Sequence, residues 1–224
     1  MRHRLLVLLL FATACAAPLQ PLPTASTTSG PEDAGALAAE ARAAARATQH
    51  EPSADTRHAL TEKAVAAGQR CEQVAPASPA CDYALALAVG VQARERPSTA
   101  TKGLSLMVEL LKRANGNDAQ QDYAGPSRVL ALVLLRAPGW PLGPGDADAG
   151  LKAAQKAVEL FPNYAPNQLA LSEALLVAAD EAGSRAAAKR GLELARLAIS
   201  GGGEQDANDW VREAETLLAG KQPL

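Results

Sequence analysis

Leu104, Met107, Val108 and Leu111 fall at i, i+3, i+4 and i+7, with Lys102, Ser105, Glu109 and Lys112 among the remaining positions. That spacing runs one apolar stripe along a helix and leaves the rest of its surface to water. Ala147, Leu151, Ala154, Val158 and Phe161 repeat the pattern in steps of four and three, with Lys152, Gln155 and Glu159 facing outward. Stripes of this kind are buried by packing helix on helix. The composition agrees: beyond residue 32 the strong helix formers Ala, Leu, Glu, Lys and Arg dominate, and aromatic residues amount to 3%. Strand signals are nearly absent, and Pro and Gly cluster between the helical stretches.

Nine helical segments are predicted, near 33–49, 55–75, 80–95, 99–115, 124–137, 146–161, 165–181, 184–199 and 205–219. Ser98, Asp146 and Ser184 are the expected N-caps. Pro126 and Pro166 sit in first turns, where the missing N–H has no helical partner. Gly201-Gly202-Gly203 ends the eighth segment. Val129 to Leu135 is apolar throughout and reads alone as a buried strand or a buried helix. Its Leu and Ala content and its helical neighbourhood favour a central helix covered on all sides.

The chain opens with a different signal. Arg2, His3 and Arg4 precede the apolar run Leu5 to Ala12, which is far shorter than the ~20 residues of a spanning helix. A basic start, a short apolar stretch and small residues describe a cleaved export signal. Ala12-Thr13-Ala14-Cys15 resembles a lipobox, with Ala12 in place of the more usual Leu, and assigns residues 1–14 to a lipoprotein signal and Cys15 to lipidation. Ordinary cleavage near Ala14 or Ala17, leaving a free periplasmic protein, is the alternative. Ala16 follows the cysteine, not Asp, so the expected address is the periplasmic face of the outer membrane, the lipid being the sole membrane attachment. Residues 15–32, rich in Pro, Ser, Thr and Ala, form the expected tether. The domain is expected over 33–224.

With Cys15 acylated, Cys71 and Cys81 remain. An even remainder in an oxidising compartment reads as one disulfide. A zinc pair competes poorly, because zinc wants four ligands and nothing suitable is near in sequence. Removing Arg2 and Arg4 with the leader takes 22 basic residues to 20, against 24 acidic ones, a net charge of −4 with histidine neutral. Bulk electrostatics therefore do not attract nucleic acid.

Helix pairs joined by short turns invite a repeat test. At an offset of 38 residues Gly150 matches Ala188, Ala154 matches Leu192, Ala157 matches Ala195 and Phe161 matches Ile199. Small residues recur at the first and third of these positions, as in the second helix of a tetratricopeptide unit, and Pro162 lies five residues after Ala157. The expected fold is all-α: a tetratricopeptide-like superhelix of about four antiparallel helix pairs plus a C-terminal helix. The first helices lack the motif's Trp and Tyr, and Ser200 stands where the next repeat-ending proline belongs.

The segment from Arg136 to Asp146, RAPGWPLGPGD, together with AVELFPNYAPN over Ala157 to Asn167 and the helix carrying Leu171 and Glu173, is similar to the TatT family. These are tetratricopeptide-type lipoproteins associated with TRAP-type transporters, in which the T component partners a periplasmic solute-binding protein and the pair handles small, hydrophobic ligands. The resemblance implies a lipid anchor, an all-α fold, a homo-oligomer with a central pore and a solute-binding protein as partner.

Trp140 and Leu142, in a loop of three prolines and three glycines over 138–146, are candidate contacts for an apolar ligand or a partner, with Tyr164 and Asn167. The competing reading packs Trp140 between two helix pairs as an anchor for the loop. The loop lacks the lysine and strand setting of a phosphate loop. Catalysis is not expected. His3 leaves with the signal, His50 lies in a polar connection and is read as solvated, and His58 is read as a surface residue. No histidine–carboxylate cluster has ligand spacing in sequence, so neither metal nor cofactor is expected. Tyr83, Tyr123 and Tyr164 read as packing or turn residues, and Glu109 with Arg113 and Glu193 with Arg196 as solvated helix faces. The expectation is a binding and adaptor lipoprotein, the accessory T component of a TRAP-type system. The alternative is an outer-membrane assembly or pilotin-type lipoprotein gripping a β-barrel or secretin component.

Overall fold

A computed structural model describes residues 32–202 and 206–222. The expected export signal over 1–14, Cys15 and the expected tether before Glu32 lie outside them. Among the described residues there are nine α-helices: α1 (Ala34–Ala47), α2 (Ala54–Val74), α3 (Pro79–Glu95), α4 (Ala100–Asn117), α5 (Gln121–Arg136), α6 (Ala147–Leu160), α7 (Ala165–Val177), α8 (Glu181–Ser200) and α9 (Ala207–Leu218). Helices α1/α2, α3/α4, α5/α6 and α7/α8 pack as pairs, α9 packs on α8 and α7, and α1 also packs on α3. This is the all-α superhelix of paired helices, with Val129 to Leu135 inside α5. None of the described helices is long and apolar enough to cross a membrane.

The starts follow side-chain chemistry. Asp33, Ser53, Asp146 and Asp180 each accept a backbone N–H of the helix they begin, supplying a partner that the first turn lacks. Asp146 is the cap expected; Ser98 and Ser184 are not caps. Ser98 falls inside a 3-10 turn over Pro97–Thr99 that leads into α4. Ser184 lies in the first turn of α8, buried, where its hydroxyl is 3.1 Å from that of Ser172. The α7–α8 turn is set three residues earlier than expected, by Ala179 in the left-handed region at φ 59°.

Burial is achieved mostly by alanine. Ala38, Ala41, Ala84 and the sulfurs of Cys71 and Cys81 form the junction of α1, α2 and α3. A disulfide between Cys71 and Cys81 joins the facing ends of α2 and α3. Larger residues fill the space between α3, α4 and α5: Leu85, Val89, Met107, Leu110, Leu111, Leu130 and Leu134. The repeat positions Gly150, Ala157, Ala188 and Ala195 are all buried, as close approach of two helices requires. At Gly191 of α8 a Cβ would meet Leu169 Cδ2 at 2.6 Å, so a side chain there would have to push the buried Leu169 aside.

Charged pairs tie the first helical pair to the second and the third to the fourth. Arg136 of α5 meets Glu173 of α7 two-toothed, Nε to Oε1 at 2.8 Å and Nη2 to Oε2 at 2.6 Å, with Glu173 almost fully buried. Arg113 of α4 reaches Asp82 of α3 and Glu72 of α2 rather than pairing with Glu109 on its own helix. Glu193 likewise pairs with Arg190, not Arg196. Burial, and next the Asp82 charge, raise the Glu72 carboxyl above its ordinary value, while Arg113 opposes both.

Candidate functional site

The odd-numbered helices share one face of the helical body. Along it runs a groove of about 600 Å³. Its wall is Ala39, Arg42, Ala43 and Arg46 of α1, Tyr83, Leu87 and Val91 of α3, Asp122, Arg128 and Val129 of α5, Tyr164 and Pro166 at the start of α7, and Asp206 and Trp210 at the start of α9. Leu87 and Val91 follow Tyr83 at i+4 and i+8, which places them on one side of α3. The array curls until its ends meet: Arg46 Nη1 lies 3.8 Å from Asp206 Oδ2, and His50 Nε2 lies 3.1 Å from Asp209 Oδ2.

Four aromatic side chains gather at one end. Tyr123 stacks on Tyr164 with centroids 4.6 Å apart, Phe161 meets Tyr123 edge-on at 5.7 Å, and Trp210 meets Tyr164 edge-on at 5.6 Å. The Arg128 guanidinium carbon sits 5.1 Å from the Tyr164 ring centre. Tyr83, across the groove, donates its hydroxyl to Asp122 Oδ2 at 2.6 Å. Burial is the first cause that keeps this hydroxyl protonated, pushing its pKa far up.

The turn that begins α5 is what positions this end. Asp122, Tyr123 and Ala124 all have left-handed backbones, with φ of 50°, 54° and 64°. An L residue there is disfavoured by roughly 1–2 kcal/mol, so three in succession must be held by their surroundings. Arg128 Nη1 donates to the carbonyls of Asp122 and Tyr123 at 3.3 and 3.2 Å, and Asn167 Nδ2 donates to Tyr123 O at 3.0 Å. The right-handed part of α5 begins after Ala124, which leaves Pro126 in its first turn as expected.

The four expected contact residues do not form one site. Tyr164 lines the groove. Asn167 is fully buried beneath it and binds Tyr123, Ala157, Phe161 and Arg128, so it supports the wall without facing a ligand. Trp140 does not pack between helix pairs. It is 90% exposed and Leu142 72%, both carried out into solvent on the α5–α6 loop. That loop is closed at its base by Gly145 N donating to Pro138 O at 2.8 Å and Asp146 N donating to Leu134 O at 2.9 Å. His50, read as solvated, is exposed but paired with Asp209.

Sequence reasoning missed Arg42, Arg128, Asp122, Tyr83 and Trp210. Helical periodicity identifies the buried stripe, whereas the groove face is the strip beside it, whose polar and apolar residues alternate without a signature. The groove assembles an apolar and aromatic wall, three guanidinium groups and two carboxylates. Among the described residues Arg42 makes no ion pair, while Arg128 is engaged with Asp122 and Arg46 lies near Asp206. Comparison with models of known protein families and with curated proteins finds no match for this chain.

Proposed function

We propose that this chain is a non-catalytic binding module of the bacterial envelope, anchored by a lipid on Cys15 beyond a signal at 1–14 and a tether over 15–32. The groove takes a small amphipathic organic anion. The observation that carries this reading is the pairing of Leu87, Val91, Val129 and Trp210 with an Arg42 free of any ion pair among the described residues. A guanidinium at the edge of an apolar wall fits a carboxylate with a hydrocarbon or aromatic body, and burying that body supplies the affinity. The resemblance to the TatT family makes the biological role an accessory step in solute uptake beside a TRAP-type solute-binding protein. The exposed Trp140 and Leu142 are then the surface offered to that partner, since large apolar side chains held out in water mark contact sites.

The chain has two tryptophans, so Trp140→Phe leaves Trp210 in the groove as the sole reporter. Titration with straight-chain and aromatic carboxylates should give a saturable fluorescence change that Arg42→Ala weakens about tenfold or more, the scale of one charge-assisted hydrogen bond. No saturable change with any of them would remove the ligand reading. Pull-down of the lipidated protein from its own envelope tests the partner. A solute-binding protein lost on Trp140→Ala supports the transporter role; a barrel or secretin component replaces it with the assembly role.

A further inference from the structure

Among the described residues, one group of three side chains has the donor atoms of a metal site: His50, Asp206 and Asp209. Their ligand atoms lie within 4.8 Å of one another. The three come from opposite ends of the helical array, His50 from the connection after α1, Asp206 from the position just before α9 and Asp209 from its first turn. We propose that these residues bind a divalent transition-metal ion, Zn²⁺ being the probe of choice, and that the bound ion locks the two ends of the array around the groove. This goes beyond the groove reading and does not depend on it.

The donor set selects the class of ion. One imidazole nitrogen with two carboxylate oxygens suits Zn²⁺, Co²⁺ or Ni²⁺ better than Mg²⁺, which takes oxygen donors and keeps its waters. Ligands at about 2.0–2.2 Å from zinc stand roughly 3.3 Å apart on a tetrahedron. His50 Nε2 and Asp209 Oδ2 are already 3.1 Å apart, and Asp206 closes the remainder by rotating a half-buried side chain. Water completes the fourth position. Two cations compete for the carboxylates. Arg212 holds the other oxygen of Asp209 and leaves Oδ2 to His50. Arg46, 61% exposed, lies 3.8 Å from Asp206 and can swing away.

A metal that binds only the folded chain stabilises it in proportion to ligand occupancy. Here the stabilised element is the seam between α1 and α9, where Arg46, Asp206 and Trp210 also form groove wall. Metal occupancy therefore fixes the spacing of the groove's two ends.

The test uses the full chain without an affinity tag, carrying Cys15→Ser to remove the free thiol, and titrates it calorimetrically with ZnCl2. One ion is expected per chain, with affinity lost at least tenfold in both His50→Ala and Asp209→Asn, retained in His58→Ala, and tightened in Arg46→Gln. In the Trp140→Phe background Ni²⁺ should quench Trp210, the residue after Asp209, and the His50→Ala change should abolish the quenching. These variants alter partly exposed or exposed side chains, and circular dichroism confirms that each is folded. Absence of stoichiometric Zn²⁺ binding to the parent chain, or equal binding by His50→Ala, overturns the proposal.

Discussion

Arg128 of α5 donates to the side-chain carbonyl of Asn167 in α7 at 3.0 Å, both residues being buried. The Asn167 amide donates in turn to Tyr123, Ala157 and Phe161 carbonyls at 3.0, 3.0 and 3.1 Å. One asparagine thus joins the end of α6, the left-handed turn of α5 and the start of α7. Asn167→Ala is expected to cost about 2–4 kcal/mol, because it removes every one of these ties from a buried site. Urea denaturation measures it. A loss below about 0.5 kcal/mol, the range of an ordinary surface change, would show that the turn stands without this bond.

The helices were legible from the sequence because their signal is local. Leu104, Met107, Val108 and Leu111 declare a face whatever surrounds them, and Asp146 caps α6 by its own side chain. The α7–α8 turn falls earlier than expected because an alanine, Ala179, holds the left-handed position and Asp180, not Ser184, caps α8. Arg113 was read against Glu109 because sequence spacing shows only neighbours on the same helix, whereas its partners Asp82 and Glu72 come from two other helices. The groove was illegible for the same reason. Arg42, Tyr83, Arg128 and Trp210 come from four helices and converge only when the array curls.

Ala179 is exposed and sits at φ 59° in that turn. A left-handed L residue costs roughly 1–2 kcal/mol, and glycine's extra backbone entropy takes back about 0.5–1 kcal/mol. Ala179→Gly should therefore stabilise the chain by about 0.5–1 kcal/mol and raise its melting temperature by about 2 °C. Ala170→Gly, buried within α7, should do the reverse. A lowered melting temperature in Ala179→Gly would mean that the turn's backbone is not left-handed.

Glu213 of α9 is half-buried, with Arg136 Nη2 3.9 Å away. Burial raises its carboxyl above the ordinary 4.5, the Glu173 charge adds to the rise, and Arg136 and Arg128 oppose it. The folded state therefore holds this proton more tightly than the unfolded chain does. Stability from this group is greatest below the ordinary value, falls as pH rises through the raised one, and levels off above it. Glu213→Gln removes that fall, so its stability advantage over the parent should widen as pH rises from the ordinary carboxylate value through the raised one and then stay constant. Denaturant midpoints across that range decide the matter; an advantage that shrinks with rising pH contradicts the sign.

The disulfide between Cys71 and Cys81 closes a short loop between α2 and α3, and both sulfurs are fully buried against Ala38 and Ala84. Cross-linking a loop of this length restricts the unfolded chain by about 2–3 kcal/mol in the chain-entropy account. Cys71→Ser should lower the melting temperature without abolishing folding, since the Leu-rich junction of α3, α4 and α5 does not include either sulfur. The Cys71→Ala/Cys81→Ala pair separates the cross-link from the cost of a buried hydroxyl. Its melting temperature should match that of the fully reduced parent and fall below that of the oxidised parent. Identical melting of the pair and the oxidised parent would show that α2 and α3 are held by packing alone.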